Sequence, residues 1–285
     1  MQQVEADKLL LSIQQQLNDN TFDRSDRDLI ERAIEGMGDP RGMVRLNFAQ
    51  ALERVGRAAT PQLLEALRNH DDPVVRRASA KTLTLLADPE AVPVLIDAFL
   101  TDEDRVVRSS AVGALAETGE VSAPPLLEIL ADPAQSETAK GHAAWALAFM
   151  GRKIADLLYK AFESDVEEVR IAAIGAIATL VREQKDEKAF QLLCSSLTDD
   201  LVNIRIEAAA LLGQVEDRRG VPGLVDSLRD SDGGVRKAAA MSLMKLGADE
   251  TLSELRAVRD RELDESIQRV LALAVRQLEQ KQTAE

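Results

Sequence analysis

Acidic and basic residues recur along this sequence at an interval that could serve acid–base catalysis or hold a metal ion, since carboxylates carry protons and act as hard metal ligands. Asp39, Asp71, Asp102, Asp165, Asp199 and Asp230 are each followed, five or six residues on, by Arg45, Arg76, Arg108, Arg170, Arg205 and Arg236 respectively. Asp132 and Lys140 form a seventh set with a longer separation. From Arg45 through Lys140 to Arg236 the intervals are 31, 32, 32, 30, 35 and 31 residues. A reaction centre is a single place, whereas this pattern returns with every repeat, so its periodicity assigns it to architecture. An Asp ahead of a helix caps backbone N–H groups and suits the positive end of the helix dipole. The Arg is then placed to bond a carboxylate or carbonyl of the adjacent repeat, giving a ladder along a stack.

The other reactive groups are few. The two histidines, His70 and His142, are far apart in sequence, and His142 has no second metal-type ligand near it, so no metal site is expected. The single cysteine, Cys194, excludes an intrachain disulfide and a Cys-cluster metal site. It falls at helical spacing with Phe190, Leu193 and Leu197 and reads as a buried small apolar residue. No nucleophile–His–acid arrangement and no Gly-rich phosphate loop is present, so no catalytic residue is assigned.

Each basic residue of the ladder opens a helix whose apolar positions recur at +3, +4, +7 and +11, as in Ala111, Val112, Leu115 and Gly119 after Arg108. At 100° per residue these share one face. Gly56, Gly119, Gly151 and Gly247 stand where such helices must stop. The partner helices begin at prolines, as in Pro61-Gln-Leu63-Leu64 and Pro93-Val-Leu95-Ile96, where the missing N–H costs little. The expected fold is therefore all-α, an α-solenoid of about seven short HEAT-like helix pairs over 39–260, with a helical cap over 1–38 and a capping helix and polar tail over 261–285. Ser25 and Asp28 resemble a capping box, and Leu263, Ile267, Val270, Leu271, Ala274 and Leu278 mark the last amphipathic helix.

The fourth unit departs from the pattern. Eight steps separate Asp132 from Lys140, and the helix that follows carries His142, Trp145 and Phe149 at +2, +5 and +9, on the face opposite its core positions. The flanking units offer Gly113 and Glu117 on one side and Gly175 on the other at matching slots. One reading leaves the indole in a shallow groove on the ligand-facing surface, with these six residues as a binding site. The other has Trp145 and Phe149 filling a wider gap against Tyr159 and Phe162.

Composition narrows the partners. A formal charge of −14 disfavours a phosphate backbone, so nucleic acid is not expected. No apolar run approaches the roughly 20 residues of a membrane span, and the first residues lack the basic and apolar regions of a signal peptide. A cytoplasmic protein without membrane insertion is the expectation. Only eight residues are aromatic, which suits thin helix-on-helix layers.

Units such as Asp88-Pro89-Glu90-Ala91-Val92-Pro93-Val94-Leu95-Ile96, followed by Asp102 to Arg108 and an Ala-rich helix, resemble the short HEAT-like repeats of the phycobilisome lyase (E/Z) type. The unit length near 32 residues fits that comparison, which covers about residues 39 to 260. The resemblance implies a cyanobacterial scaffold acting on phycobiliproteins or phycobilisomes, as a bilin lyase-like chaperone, an assembly factor or a degradation factor. Its implied partners are phycobiliprotein subunits or a second HEAT-like subunit, with no resident cofactor and a bilin as a transient ligand. The matched residues are the stacking ones, so a general adaptor for another complex, with no bilin chemistry, stands as the alternative.

Overall fold

The computed structural model describes residues 3–282, and among these there is helix and no strand. The helices are α1 (Gln3–Asn18), α2 (Arg27–Gly36), α3 (Gly42–Val55), α4 (Thr60–Asn69), α5 (Pro73–Leu86), α6 (Val92–Thr101), α7 (Arg105–Thr118), α8 (Ala123–Ala131), α9 (Glu137–Met150), α10 (Ala155–Phe162), α11 (Glu167–Gln184), α12 (Glu187–Ser195), α13 (Val202–Gln214), α14 (Val221–Ser227), α15 (Gly233–Leu246), α16 (Leu252–Arg259) and α17 (Glu265–Gln282). The chain divides into two compact units, one ending at Ala146 and the other beginning at Leu147. In the first, α3 packs on α5 and α5 on α7, while α4 pairs with α5 and α6 with α7. In the second, α11, α13, α15 and α17 pack in succession, with α10, α14 and α16 each joined to the helix that follows. This is the helix-pair stacking that the repeat requires.

Burial follows the repeat positions. Ala111, Val112 and Leu115 on α7, and Ala239, Ala240 and Leu243 on α15, are all buried. Small alanines on these faces bring successive helices close, and each fully buried leucine contributes roughly 1.5–3 kcal/mol relative to exposure. Gly56, Gly119, Gly151 and Gly247 all adopt positive φ, as the stop after each repeat helix demands. Pro61, Pro73, Pro93 and Pro222 each occupy one of the first helical positions.

The charged ladder is more specific than its sequence pattern. Arg45, Arg108, Arg205 and Arg236 each donate from Nη1 to a main-chain carbonyl six residues back, those of Asp39, Asp102, Asp199 and Asp230, at 2.6–2.9 Å. The other edge of the guanidinium reaches forward to the next repeat. Arg76 binds the Asp102 carboxylate through Nε at 2.9 Å and Nη2 at 3.1 Å. Arg205 does the same to Asp230 at 2.8 and 3.0 Å, and Arg236 to Glu262 at 2.8 and 2.9 Å. Arg170 pairs with Asp199. The forks of Arg76, Arg205 and Arg236 thus span a backbone turn and the following unit, bidentate on the acid.

The leading acid itself differs from expectation. Asp39, Asp102, Asp199 and Asp230 accept from the N–H two residues on, closing an Asx turn, and the helix N-caps are later residues: Asp72, Asp104 and Asp232. In the second set the residue six before Arg76 is His70, not Asp71, and its Nδ1 accepts from Asp72 N–H at 3.0 Å while its carbonyl receives Arg76. In the fifth set Ser164 takes the place assigned to Asp165, its hydroxyl accepting from Val166 N–H. What the position demands is a short side-chain acceptor, and aspartate is its commonest occupant. Three terminal details also change. Asp26, not Ser25, caps α2; Leu263 is 95% exposed, ahead of α17; and α17 continues through Gln282, tied by Arg256 to Glu279 at 2.6 Å.

Arg205 and Asp230 are both largely buried in their side chains, with 13% and 14% exposed. Arg205→Ala is therefore expected to cost about 1–3 kcal/mol in urea unfolding, the range for a lost hydrogen bond to a charged group. Unchanged stability would refute the load placed on the ladder.

Acid should weaken the stack with a definite sign. The hydrogen bond from the Arg41 guanidinium, offset in part by desolvation, holds the Asp39 carboxyl at about 2. Arg236 likewise holds Glu262 below the usual carboxylate range, and at Asp230 the Arg205 bonds and the turn N–H together overcome the opposing burial. Carboxyls depressed in the folded state stabilise above their unfolded pKa near 4, and that contribution is lost as pH falls through the folded value. Melting temperature should hold from pH 7 to about 5 and decline between about pH 4 and 2, less steeply in an Arg205→Ala variant.

Candidate functional site

The fourth unit is as irregular in structure as in sequence. After α8 ends, Asp132 Oδ1 accepts from Ala134 N–H at 2.8 Å and Oδ2 from the Gln135 side-chain amide at 3.2 Å, so this carboxylate turns onto its own lengthened loop. Ser136 then caps α9, accepting from Ala139 N–H at 3.2 Å. Along α9 the core positions Ala143 and Leu147, and Gly151 at its end, are buried as the repeat register predicts, while Ala144 is half-buried. On the other side of the helix Trp145 is 51% exposed and Phe149 55% exposed. Two large aromatics half in water are notable in a chain with eight aromatic residues in all.

The aromatics proposed as alternative packing partners have other company in the second unit. The Tyr159 hydroxyl donates to Asp186 at 3.1 Å, and Lys188 Nζ lies 3.8 Å from the centre of its ring. Burial and the Asp186 carboxylate push its phenol up to about 12, so it stays protonated. The Arg170 guanidinium covers the Phe162 ring at 4.9 Å.

His142 is less exposed than Trp145 and Phe149. It is half-buried, and its ring lies 6.2 Å from that of Phe99 on α6, tilted by 59°. Together they border a hollow of about 490 Å³ in the first unit, which also takes in Arg105, Arg108, Ser109 and Thr138. Sequence reading did not identify Phe99, Arg105 or Arg108 as site residues. The signal was present in the long Asp132-to-Lys140 separation, which widens the space next to the α6–α7 turn.

Gly113 on α7 in the first unit and Gly175 on α11 in the second both leave open space where a Cβ would stand. Glu117, one turn beyond Gly113, is half-buried. A glycine in mid-helix gives up about 1 kcal/mol of helix propensity relative to alanine, and neither position needs it for backbone conformation or close packing.

Cys194 is half-buried on α12 rather than fully enclosed, and burial, with Asp217 nearby, pushes its thiol up. A thiol so placed is a poor nucleophile. Among the described residues no group of three or more His, Cys, Asp or Glu is arranged to hold a metal, and no helix is long and apolar enough to cross a membrane.

The HEAT-repeat family matches residues 27–116, 60–148, 123–210 and 198–276. The bilin biosynthesis protein MpeU of Synechococcus sp. (strain WH8020) is 42% identical to this chain over 278 residues, 97% of this chain and 93% of MpeU. Among solved structures, the complex of CpcE and CpcF of phycocyanin lyase from Nostoc sp. PCC7120 is 20% identical and covers 87% of this chain and 94% of that one, with a TM-score of 0.36. Importin beta is 14% identical, covering 88% of this chain and 41% of its own, with a TM-score of 0.51, a likeness of fold alone. With the repeats matched from α2 into α17 and a relative aligned almost end to end, the chain belongs to the HEAT-repeat family and, within it, to the phycobilisome-lyase type that its short units resemble.

Proposed function

We propose that this protein is a scaffold that holds a linear tetrapyrrole and a phycobiliprotein client together, with the exposed aromatics of α9 as the contact surface. The observation that carries this reading is the exposure of Trp145 and Phe149 on the one helix whose entry turn breaks the repeat. Identity of 42% along nearly the whole chain to a protein of bilin biosynthesis supplies the pigment class. An indole and a phenyl ring offer flat apolar faces to a conjugated ligand or to a partner's side chains, and aromatic anchors carry a large share of binding energy at such surfaces.

In this role the chain supplies position rather than acid–base chemistry. Holding pigment and client in one geometry replaces a bimolecular encounter and restricts the face from which a nucleophile approaches. The nucleophile belongs to the client, since the half-buried thiol of Cys194 is pushed up by its surroundings.

Trp145 is the sole tryptophan, so its emission reports on this helix directly. Titration with phycocyanobilin should quench that emission, and Trp145→Ala and Phe149→Ala should each weaken capture of phycobiliprotein subunits by about tenfold, equivalent to roughly 1.4 kcal/mol. An unchanged emission together with undiminished capture by both variants would remove the contact surface from α9. Capture of an unrelated complex instead would favour a general adaptor.

A further inference from the structure

The hollow beside His142 differs in its lining from four others among the described residues. Each of those has acids in its wall: Glu31 and Glu65 near α2 and α4, Asp39 and Asp72 at the α2–α3 turn, Asp199 and Asp226 beside α14, and Glu254 and Glu262 beside α16. The wall of this one carries two guanidiniums, Arg105 and Arg108, and no Asp or Glu. In a chain of net charge −14, two cations lining a hollow without a lining carboxylate set it apart as a place for an anionic group.

The break in the repeat explains the difference. Arg76, Arg205 and Arg236 spend the forward edge of their guanidinium on an acid of the next unit. Arg108 keeps the backward bond, Nη1 to the Asp102 carbonyl at 2.9 Å, but Asp132, which like Asp102 and Asp230 accepts the N–H two residues on, takes the Gln135 side-chain amide where those acids take an arginine. Among the described residues no hydrogen bond from Arg108 to Asp132 is found. Arg108 lines the hollow, beside the exposed Arg105 and next to Ser109 and Thr138. The inner side is apolar, formed by Phe99, which is 2% exposed, Leu100 and one edge of the His142 ring.

We infer that this hollow is a carboxylate-binding site that receives a propionate arm of a linear tetrapyrrole, anchoring the pigment at one end while the aromatics of α9 meet its rings. The inference rests on the pigment reading and adds to it a place and a charge. A guanidinium fork fits a carboxylate in bidentate fashion, the Thr138 hydroxyl offers a further donor, the Ser109 hydrogen being given to the Arg105 carbonyl, and the methylene stem lies against the Phe99 side. The volume of about 490 Å³ falls within the roughly 300–1,000 Å³ of small-molecule sites.

Arg105 is exposed in the first turn of α7, so Arg105→Gln preserves the fold, which an unchanged melting temperature verifies. Binding of phycocyanobilin and of its dimethyl ester would be compared by bilin absorbance in the wild-type chain, Arg105→Gln and His142→Gln. The free acid should bind the wild type about tenfold or more tightly than the ester, the size of one lost charge-assisted bond. Arg105→Gln should lower that preference severalfold, Arg108 remaining in the wall, while leaving the ester's affinity unchanged, and His142→Gln should weaken both forms alike. Equal binding of acid and ester by the wild type, or an undiminished preference in Arg105→Gln, would overturn the site and leave the pigment reading standing. Binding of neither form would overturn both.

Discussion

The arginine that joins each helix pair to the next governs this protein. One edge of its guanidinium ties the turn that precedes its own helix, six residues back, and the other edge takes an acid two or three dozen residues ahead, as from Arg205 to Asp199 and Asp230. A planar ion with donors on both edges does this with little side-chain freedom left to lose, whereas a lysine presents a single point. A helix pair of this length has too little apolar surface to stand alone, so its stability lies in the interface to its neighbours. The arginine fixes the register of that interface: hydrophobic contact between alanine faces tolerates sliding, but a bidentate bond to one carboxylate does not.

That constraint also explains why a local irregularity has consequences. Two added residues between Asp132 and Lys140 leave the buried positions of α9 in register, with Ala143 and Leu147 still inside. The addition is absorbed by the turn, where Asp132 bonds its own loop rather than the preceding arginine. A rung of the ladder is thereby exchanged for a hollow with cationic walls, close to the helix that presents the exposed indole. Elsewhere the ladder consumes most of the partly buried charge, so acids and bases that look available in sequence are committed to holding the stack.

The fold was legible because it is periodic. The glycines at helix ends, the prolines at helix starts and the alanine faces each recur, and a signal seen many times is robust to the loss of any one instance: Ala87 and Lys185 adopt positive φ without being glycine, and the pattern still reads. The ladder's partners were legible in kind but misaligned in two units, because His70 and Ser164 fill a place that was identified by its aspartates. A side-chain acceptor two residues before an N–H is a geometric requirement, and residue type reports it only indirectly. At the site the opposite limit applies. Trp145 and Phe149 were placed outward by helical period alone, which depends on one helix. Phe99, Arg105 and Arg108 were missed because their nearness to His142 is set by packing across units far apart in sequence. Arg105 and Arg108 also sit among Asp102, Glu103 and Asp104, which disguises them as part of a neutral surface.

Charge alone, counted along the chain, would place any anionic ligand out of reach of so acidic a protein. The count misleads because the aspartates of the turns are not free to set the field near every surface. Asp104 illustrates this: it accepts from Val106 and Val107 N–H at the start of α7 and pairs with Arg77 of the preceding repeat. Its charge is spent on a helix start and a ladder bond, while Arg105, next to it in sequence, is exposed and lines the hollow. Repetition of an acid–base pair therefore does two things at once. It neutralises itself inside the stack, and it makes a unit whose turn departs from the pattern, as at Asp132, chemically distinct from its neighbours.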